Sequence, residues 1–272
     1  MILYIILGII FIILVIIFLY IILKRSTVHS SSSKKLKECL LKKPTILNKK
    51  PKIGIILTST IKPNSKMIML QTNIEQRLNI YLKSFKEWFS KDDFYVIIVE
   101  NSGYPLKIDN MNPNKHEIVS FTYNDLNHED KIFLESTSNK GAHEIYCINY
   151  AINNSKLLKN FNEDDFIFKV TGRYFLPDFK KILDNLIDDK TEVITQSTKN
   201  SVSLNYANRC EIIGCRKYLY PFIFNISKED LRILAEVIYT DRTNKIKNRK
   251  KLPKINILPT KCGGLNQTIT IL

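Results

Sequence analysis

Met1 to Leu23 is an unbroken apolar run with no charged side chain. Roughly 20 such residues cross a bilayer core as a helix. A cleaved signal sequence would have a basic start, a shorter apolar stretch and a small-residue cleavage site. Here the basic start is missing and Lys24-Arg25 closes the run. The pattern predicts an uncleaved single-span anchor over 1–23. Residues 24–52 are rich in Ser and Lys, with Pro44 and Pro51. They read as a basic stalk, with a short helix around Lys35–Lys43. The folded domain is expected over 53–272.

From Ile53 onward the apolar periods alternate between short β-branched runs and helical stripes. Strands are expected at Ile53–Leu57, Phe94–Val99, Glu117–Thr122, Asp165–Val170, Glu192–Gln196 and Glu211–Gly214. Asn73–Phe89 places Ile74, Leu78, Tyr81, Leu82, Phe85, Trp88 and Phe89 on one side of a helix. Further helices are expected at Gly141–Leu158, Pro177–Ile187 and Ser227–Tyr239, the last with Ser227 and Asp230 in capping-box spacing. Such alternation implies an α/β fold with a mostly parallel sheet covered on both faces. Ligands of such sheets bind at the carboxyl ends of the strands.

The chain has 41 Lys+Arg against 26 Asp+Glu, a net charge of +15. Ten of the bases and one acid, Glu38, fall in 24–52. Seven more bases lie between Arg242 and Lys254, which reads as a solvated loop or as a contact to acceptor phosphate or membrane surface. The remaining body holds 24 bases and 25 acids. Nucleic-acid binding, which spreads cations over a face with aromatics between them, is therefore not expected. The positive-inside rule favours a cytosolic domain for this single-pass protein. Asn-x-Ser/Thr sequences at Asn153, Asn225 and Asn266 point the other way. Five Cys without close pairs imply no disulfide framework. His29, His116, His128 and His143 show no ligand spacing, and His143 reads as a partly buried helix residue.

Polar residues end the strands in a particular order: Thr58-Ser59-Thr60, then Glu100-Asn101-Ser102-Gly103, then a Ser138-Asn139-Lys140-Gly141 turn before a helix. Last come Thr171-Gly172-Arg173-Tyr174 and Pro177-Asp178-Phe179. In that order they resemble the nucleotide-sugar half of a GT-A glycosyltransferase, closest to the family 2 pattern, over Ile53 to Leu186. The resemblance implies a GT-A-like, Rossmann-type three-layer sandwich. It implies a nucleotide-sugar donor and a glycan, lipid or protein acceptor. It makes Thr58, Ser59, Thr60, Glu100, Asn101, Ser102, Lys140, Gly141, Thr171, Gly172, Arg173 and Tyr174 substrate-binding candidates. The Glu100 carboxylate would hold the nucleoside, or else is a solvated loop acid. Lys140-Gly141 would meet the donor at a helix N-terminus, or else is a plain turn.

The chain departs from the family at Thr171-Gly172-Arg173, which stands where the resembled pattern carries D-x-D. Arg cannot bind a cation, but its planar fork holds phosphate oxygens directly. Were the strand to continue, Lys169 and Arg173 would share a face, and Gly172 would admit a ligand close to the backbone. No metal site and no cofactor are expected, and Arg173 with Lys169 would replace the cation. A structural salt bridge at Arg173 is the alternative reading. Asp230 and Glu236 are the candidates for the carboxylate that takes the acceptor's proton. Gly263-Gly264 would be a tight loop closing over the acceptor, or a turn. The competing reading of the whole chain is a non-catalytic nucleotide- or glycan-binding module on the same fold.

Overall fold

The computed structural model describes residues 11–16, 33–63, 71–196, 210–225, 234–261 and 267–272. The seven-stranded sheet contains β1 (Ile53–Ser59), β2 (Tyr95–Glu100), β3 (His116–Ser120), β4 (Phe166–Thr171), β5 (Val193–Gln196), β6 (Ile212–Arg216) and β7 (Arg249–Leu252). Its order is β3-β2-β1-β4-β6-β5-β7. Every pairing is parallel except those of β6 with β4 and β5. This is the expected α/β fold with a mostly parallel central sheet.

The continuous apolar runs follow from burial on both faces. Ile53, Ile55 and Leu57 of β1 join one core with α2 (Ile74–Phe89), α6 (Phe179–Leu186) and the hairpin of β8 (Asn256–Lys261) and β9 (Thr268–Ile271). Ile56 of β1 and Ile97 and Val99 of β2 point into a second core. There they meet α4 (Lys140–Asn154), α5 (Lys156–Lys159), α7 (Tyr220–Ile223) and α8 (Ala235–Asn244). In the first core Trp88 sits edge-on to Phe94, Phe175 and Phe179, and its indole N–H donates to Tyr174 O at 2.9 Å.

Several local expectations are corrected. The helix expected over Gly141–Leu158 breaks at Ser155. The Ser155 hydroxyl donates to Glu117 of β3 at 2.6 Å, and the same carboxylate accepts from Lys156 N and Leu157 N. Ser155 caps the new helix by accepting from Leu158 N at 3.1 Å, and a glutamate from outside the helix satisfies the remaining N–H groups of its start. Helix α3 (His128–Ser136), capped by Asn127, was not foreseen. The basic stretch Arg242–Lys254 is not a solvated loop throughout. Arg249–Leu252 forms edge strand β7 beside β5, and Arg242 is buried, donating to Phe222 O and Asn225 O. Of the helix expected over Ser227–Tyr239, residues 227–233 lie outside the described residues, and Ala235–Tyr239 belong to α8. Gly263-Gly264 lie outside the described residues.

The segment expected as a stalk also folds onto the domain. Residues 33–41 form helix α1. Cys39 and Leu47 are buried in the second core. Lys43 pairs with Glu192 at 2.7 Å, Asn48 N donates to Asp164 and Lys52 N donates to Asp165. These contacts lie where β4 and β5 begin and β6 ends.

Arg216 at the end of β6 ties this edge together. It is fully buried. Its guanidinium donates to the carbonyls of Thr191 (2.9 Å), Asn48 (2.8 Å), Asp164 (2.6 Å) and Asp188 (2.7 Å), and lies over the Phe166 ring. Burial pulls its pKa down, while the neighbouring Asp164 opposes that shift. Arg216→Met leaves four carbonyls without their donor and should lower stability by about 3–5 kcal/mol. Denaturant unfolding of the full chain, read by the fluorescence of its single tryptophan, Trp88, measures this. A loss under about 1 kcal/mol, the size of one neutral hydrogen bond, would show that these carbonyls are held by other means.

Candidate functional site

From β1 the chain moves to β2 and β3 on one side, then returns to place β4 on the other. A parallel sheet opens a crevice at such a reversal, beyond the carboxyl ends of the two central strands. A cleft of about 620 Å³ lies there. Thr58, Ser59 and Thr60 line it from β1, and Thr171, Arg173 and Tyr174 from the end of β4. Lys140, Gly141, His143 and Glu144 enter from α4, Arg77 and Tyr81 from α2, Cys210 and Glu211 from before β6, and Glu236 from α8.

Beneath the cleft lies one ion pair. Lys169, on β4, is fully buried, and its Nζ stands 2.9 Å from Glu144 Oε1. It also donates to Cys210 O, and to Thr171 Oγ1 at 3.4 Å. Glu144 Oε1 accepts further from Thr58 Oγ1 (2.9 Å) and Thr171 Oγ1 (3.3 Å). Desolvation works against the ammonium, but the Glu144 carboxylate outweighs it with smaller help from Cys210 and Glu211, so the Lys169 pKa lies above its usual value. One salt bridge thereby ties β1, β4, α4 and the approach to β6.

Lys169 and Arg173 are not side by side. The strand ends at Thr171, and the turn that follows takes Arg173 past the sheet. Lys169 belongs to the floor and does not line the cleft. Arg173 lies over the Tyr174 ring at 5.7 Å, close enough to Arg77 to depress that residue's pKa. Desolvation is the larger cause of the Arg77 shift. Arg77 donates to Thr60 O (2.8 Å from Nε) and Gln71 O (3.1 Å), so it shapes the loop after β1 while adding positive charge. Gly172 does not line the cleft. A Cβ there would stand 2.5 Å from Thr58 O, the same carbonyl that accepts the Gly172 N–H at 3.0 Å. The glycine is required by strand β1 itself.

Glu100 is corrected as well. It is fully buried, and its carboxylate accepts from the backbone N–H groups of Ile61, Ser102 and Tyr104, each at 3.0 Å, and from the Ser102 hydroxyl. Its lone pairs are taken up by the loops after β1 and β2, and it does not line the cleft. Asn101 and Ser102 line a neighbouring recess of about 520 Å³ with Thr60, Lys62 and Tyr123. Lys140, Gly141 and Glu236 do line the main cleft, as do Thr58, Ser59 and Thr60. Asp230 lies outside the described residues.

Three acids meet the cleft, and two of them, Glu144 and Glu211, had not been singled out. Glu144 sits one turn into α4, the position a helix start at this edge offers. Glu211 immediately precedes β6, and β6 runs against its neighbours, so its beginning, not its end, reaches the carboxyl edge. Glu211 Oε2 is buried and accepts no hydrogen bond from the described residues. Among those residues no group of three or more His, Cys, Asp and Glu is placed to hold a metal ion.

His143 is buried at the cleft wall, with Nδ1 2.9 Å from Tyr123 Oη and Nε2 3.2 Å from Thr137 O. A neutral ring satisfies both, donating from Nε2 and accepting at Nδ1. Desolvation lowers its pKa, opposed by Thr137 O. Desolvation likewise lowers that of His116, which stacks on Phe89.

Two outcomes follow. Lys169→Met strands the Glu144 carboxylate and should cost about 3 kcal/mol, most of it recovered in Lys169→Met/Glu144→Gln, where neither charge remains. Unfolding of the two variants side by side decides it, and equal losses would mean the pair is not the coupling. For the histidines, both folded pKa values lie below the ordinary 6.5. Below pH 6.5 the unfolded chain therefore binds protons that the folded chain refuses. Their stabilisation is complete above that pH and declines as pH falls toward the folded values. His143→Gln should flatten this decline without abolishing it, measured as thermal midpoints on either side of pH 6.5.

No protein-family model matches the chain, and no curated protein matches it. Among solved structures, a protein of Desulfovibrio desulfuricans G20, provisionally described as a nucleotide-diphospho-sugar transferase, is similar with a TM-score of 0.39 and 11% identity, over 74% of this chain and 79% of that one. HddC from Yersinia pseudotuberculosis is similar with a TM-score of 0.36 and 12% identity, over 74% of this chain and 89% of that one.

Proposed function

We propose that the chain is a membrane-anchored glycosyltransferase that moves a sugar from a nucleotide-sugar donor to an acceptor hydroxyl without a divalent metal. The observation that carries this reading is the charge layout of the switch-point cleft. Arg173 lines it where the resembled family has an acid, with Arg77 beside it, and Glu211 and Glu236 stand among the other lining residues. The basic part suits a diphosphate, which a planar guanidinium holds through paired hydrogen bonds. The acidic part suits an acceptor. A carboxylate there takes the acceptor's O–H proton as the acceptor oxygen bonds to the anomeric carbon. The bond from that carbon to the phosphate oxygen breaks, and the nucleoside diphosphate leaves with the electron pair, its added charge met by Arg173. Glu211 and Glu236 are the residues proposed for proton transfer. The anchor proposed for residues 1–23 keeps the basic flank, and with it the domain, on the cytosolic side.

A second reading, a nucleotide- or glycan-binding module without catalysis, is favoured by one fact. The Glu100 carboxylate expected to hold the nucleoside accepts instead from backbone N–H groups of the loops after β1 and β2.

Both readings are tested by incubating the detergent-solubilised full chain with a panel of nucleotide sugars in EDTA. Sugar release or transfer supports the enzyme, and thermal stabilisation without turnover supports the module. Arg173→Ala should weaken nucleoside-diphosphate binding by about 1.5–3 kcal/mol, leave binding of the free nucleoside unchanged, and be only partly rescued by Arg173→Lys. Glu211→Gln should keep donor binding and lose turnover. A strict Mg²⁺ or Mn²⁺ requirement, or normal diphosphate binding by Arg173→Ala, would overturn the metal-free reading.

A further inference from the structure

We infer that the segment 33–52 is a membrane-docking face, which lays the end of the domain opposite the cleft on an anionic bilayer. The inference rests on the proposed anchor over 1–23 and adds a second contact to it.

Three observations lead there. First, Leu41 and Ile46 are the most exposed large apolar side chains among the described residues, at 87% and 82%. Leu40 beside them is 45% exposed. Helix α1 has already used its inward positions, since Cys39 is buried and Leu36 packs on the same core. Leu41 is therefore not a core residue left uncovered by chance of length. It stands on the side that the domain does not need.

Second, the exposed charge carried by this segment is almost all positive. Lys34, Lys37, Lys42, Lys49, Lys50 and Lys52 are all exposed, and Glu38 is the only acid in 33–52. The two remaining lysines face protein instead, Lys35 donating to Asn225 O and Lys43 pairing with Glu192. Exposed apolar side chains interspersed along the segment with exposed lysines complement a leaflet rich in anionic lipid. The lysines meet the head groups, each worth about 1 kcal/mol near such a surface, while the apolar side chains enter the boundary beneath.

Third, chain length holds the face close to the membrane. Residues 11–16 form a helical stretch whose six apolar side chains are all exposed. Between the end of the apolar run at Leu23 and the start of α1 lie nine residues, Lys24 to Ser32. Even fully extended they reach only roughly 30 Å. A single-span tether alone would let the domain tumble within that reach. A second contact on the same segment removes this freedom and fixes an orientation.

The consequence concerns the acceptor. The docking segment contacts residues at the beginning of β4 and β5, whereas the cleft opens where β1 and β4 end. The seven residues of β1 separate the two edges, a span of roughly 20 Å. The cleft thus faces away from the bilayer, and its acceptor hydroxyl must stand in the aqueous phase or be carried about that far above the head groups.

The test uses the full chain in nanodiscs of phosphatidylcholine with and without phosphatidylserine. An environment-sensitive fluorophore is attached at Leu41→Cys or, as a control beside the cleft, at Ser136→Cys. Both are made in a Cys262→Ser background, because the other four cysteines are buried. The Leu41 label should shift to the blue and be quenched by lipid-borne quencher in phosphatidylserine discs. High salt should reverse the effect, Ile46→Glu should weaken it, and the Ser136 label should not respond. A Leu41 label that stays solvent-like while the chain remains with the disc would overturn the docking face and leave the anchor standing. A chain found free of discs would sink both. A blue shift that needs no lipid and grows with protein concentration would assign the face to a second copy of the chain and overturn the proposal.

Discussion

A lysine ammonium with no access to water is the constraint on which the candidate site depends. Lys169 cannot be buried unless its charge is matched in place, because desolvating an unpaired ammonium costs several kcal/mol. Glu144 matches it from the first turns of α4, and Thr58 and Thr171 orient the carboxylate by donating to the same oxygen. The ends of β1 and β4 and the start of α4 are therefore positioned by charge as well as by apolar packing. The chain entering β6 is held to the same ammonium through the carbonyl of Cys210. That contact brings Glu211 to the cleft.

The opposite edge of the sheet uses a different solution to the same problem. Arg216 is as buried as Lys169, but it is met by four backbone carbonyls and an aromatic face, with no carboxylate at hydrogen-bond distance among these contacts. Neutral acceptors arranged around a planar fork suit a joint that only has to hold loops together. An ion pair at the cleft end leaves a field that a ligand can feel. The structural cation and the floor of the site thus stand at opposite ends of the same strands, with the docking segment beside the former.

The strands and most helices were legible in the chain because their signals are local. β1, β2 and β4 are short apolar runs closed by polar residues, and α2 carries its stripe and its Asn73 cap within seventeen residues. Of the residues the strand-end rule singles out, Thr58, Ser59, Thr60, Thr171, Arg173 and Tyr174 line one cleft. It failed for Glu211, since it looks at the ends of strands and β6 presents its beginning. It did not anticipate the setting of Glu100, since a carboxylate at a strand end can serve either a ligand or the neighbouring loops, and the backbone N–H groups of Ile61, Ser102 and Tyr104 claim this one. The segment before β1 looked like a linker by composition, yet Cys39 and Leu47 are enough to seat it on the core.

By itself the sequence determined the alternation of strand and helix and the polar set at the strand ends, Thr171-Gly172-Arg173 among them. These are properties of neighbouring residues and of periods of two and 3.6. Only the tertiary structure decided that Lys169 lies under the cleft and Arg173 lines it, that Glu144 neutralises the first, and that the sheet's one reversed strand brings Glu211 alongside. The partners that fix Lys169 stand 25 and 41 residues away along the chain, at Glu144 and Cys210, and local sequence carries no record of where such partners will stand.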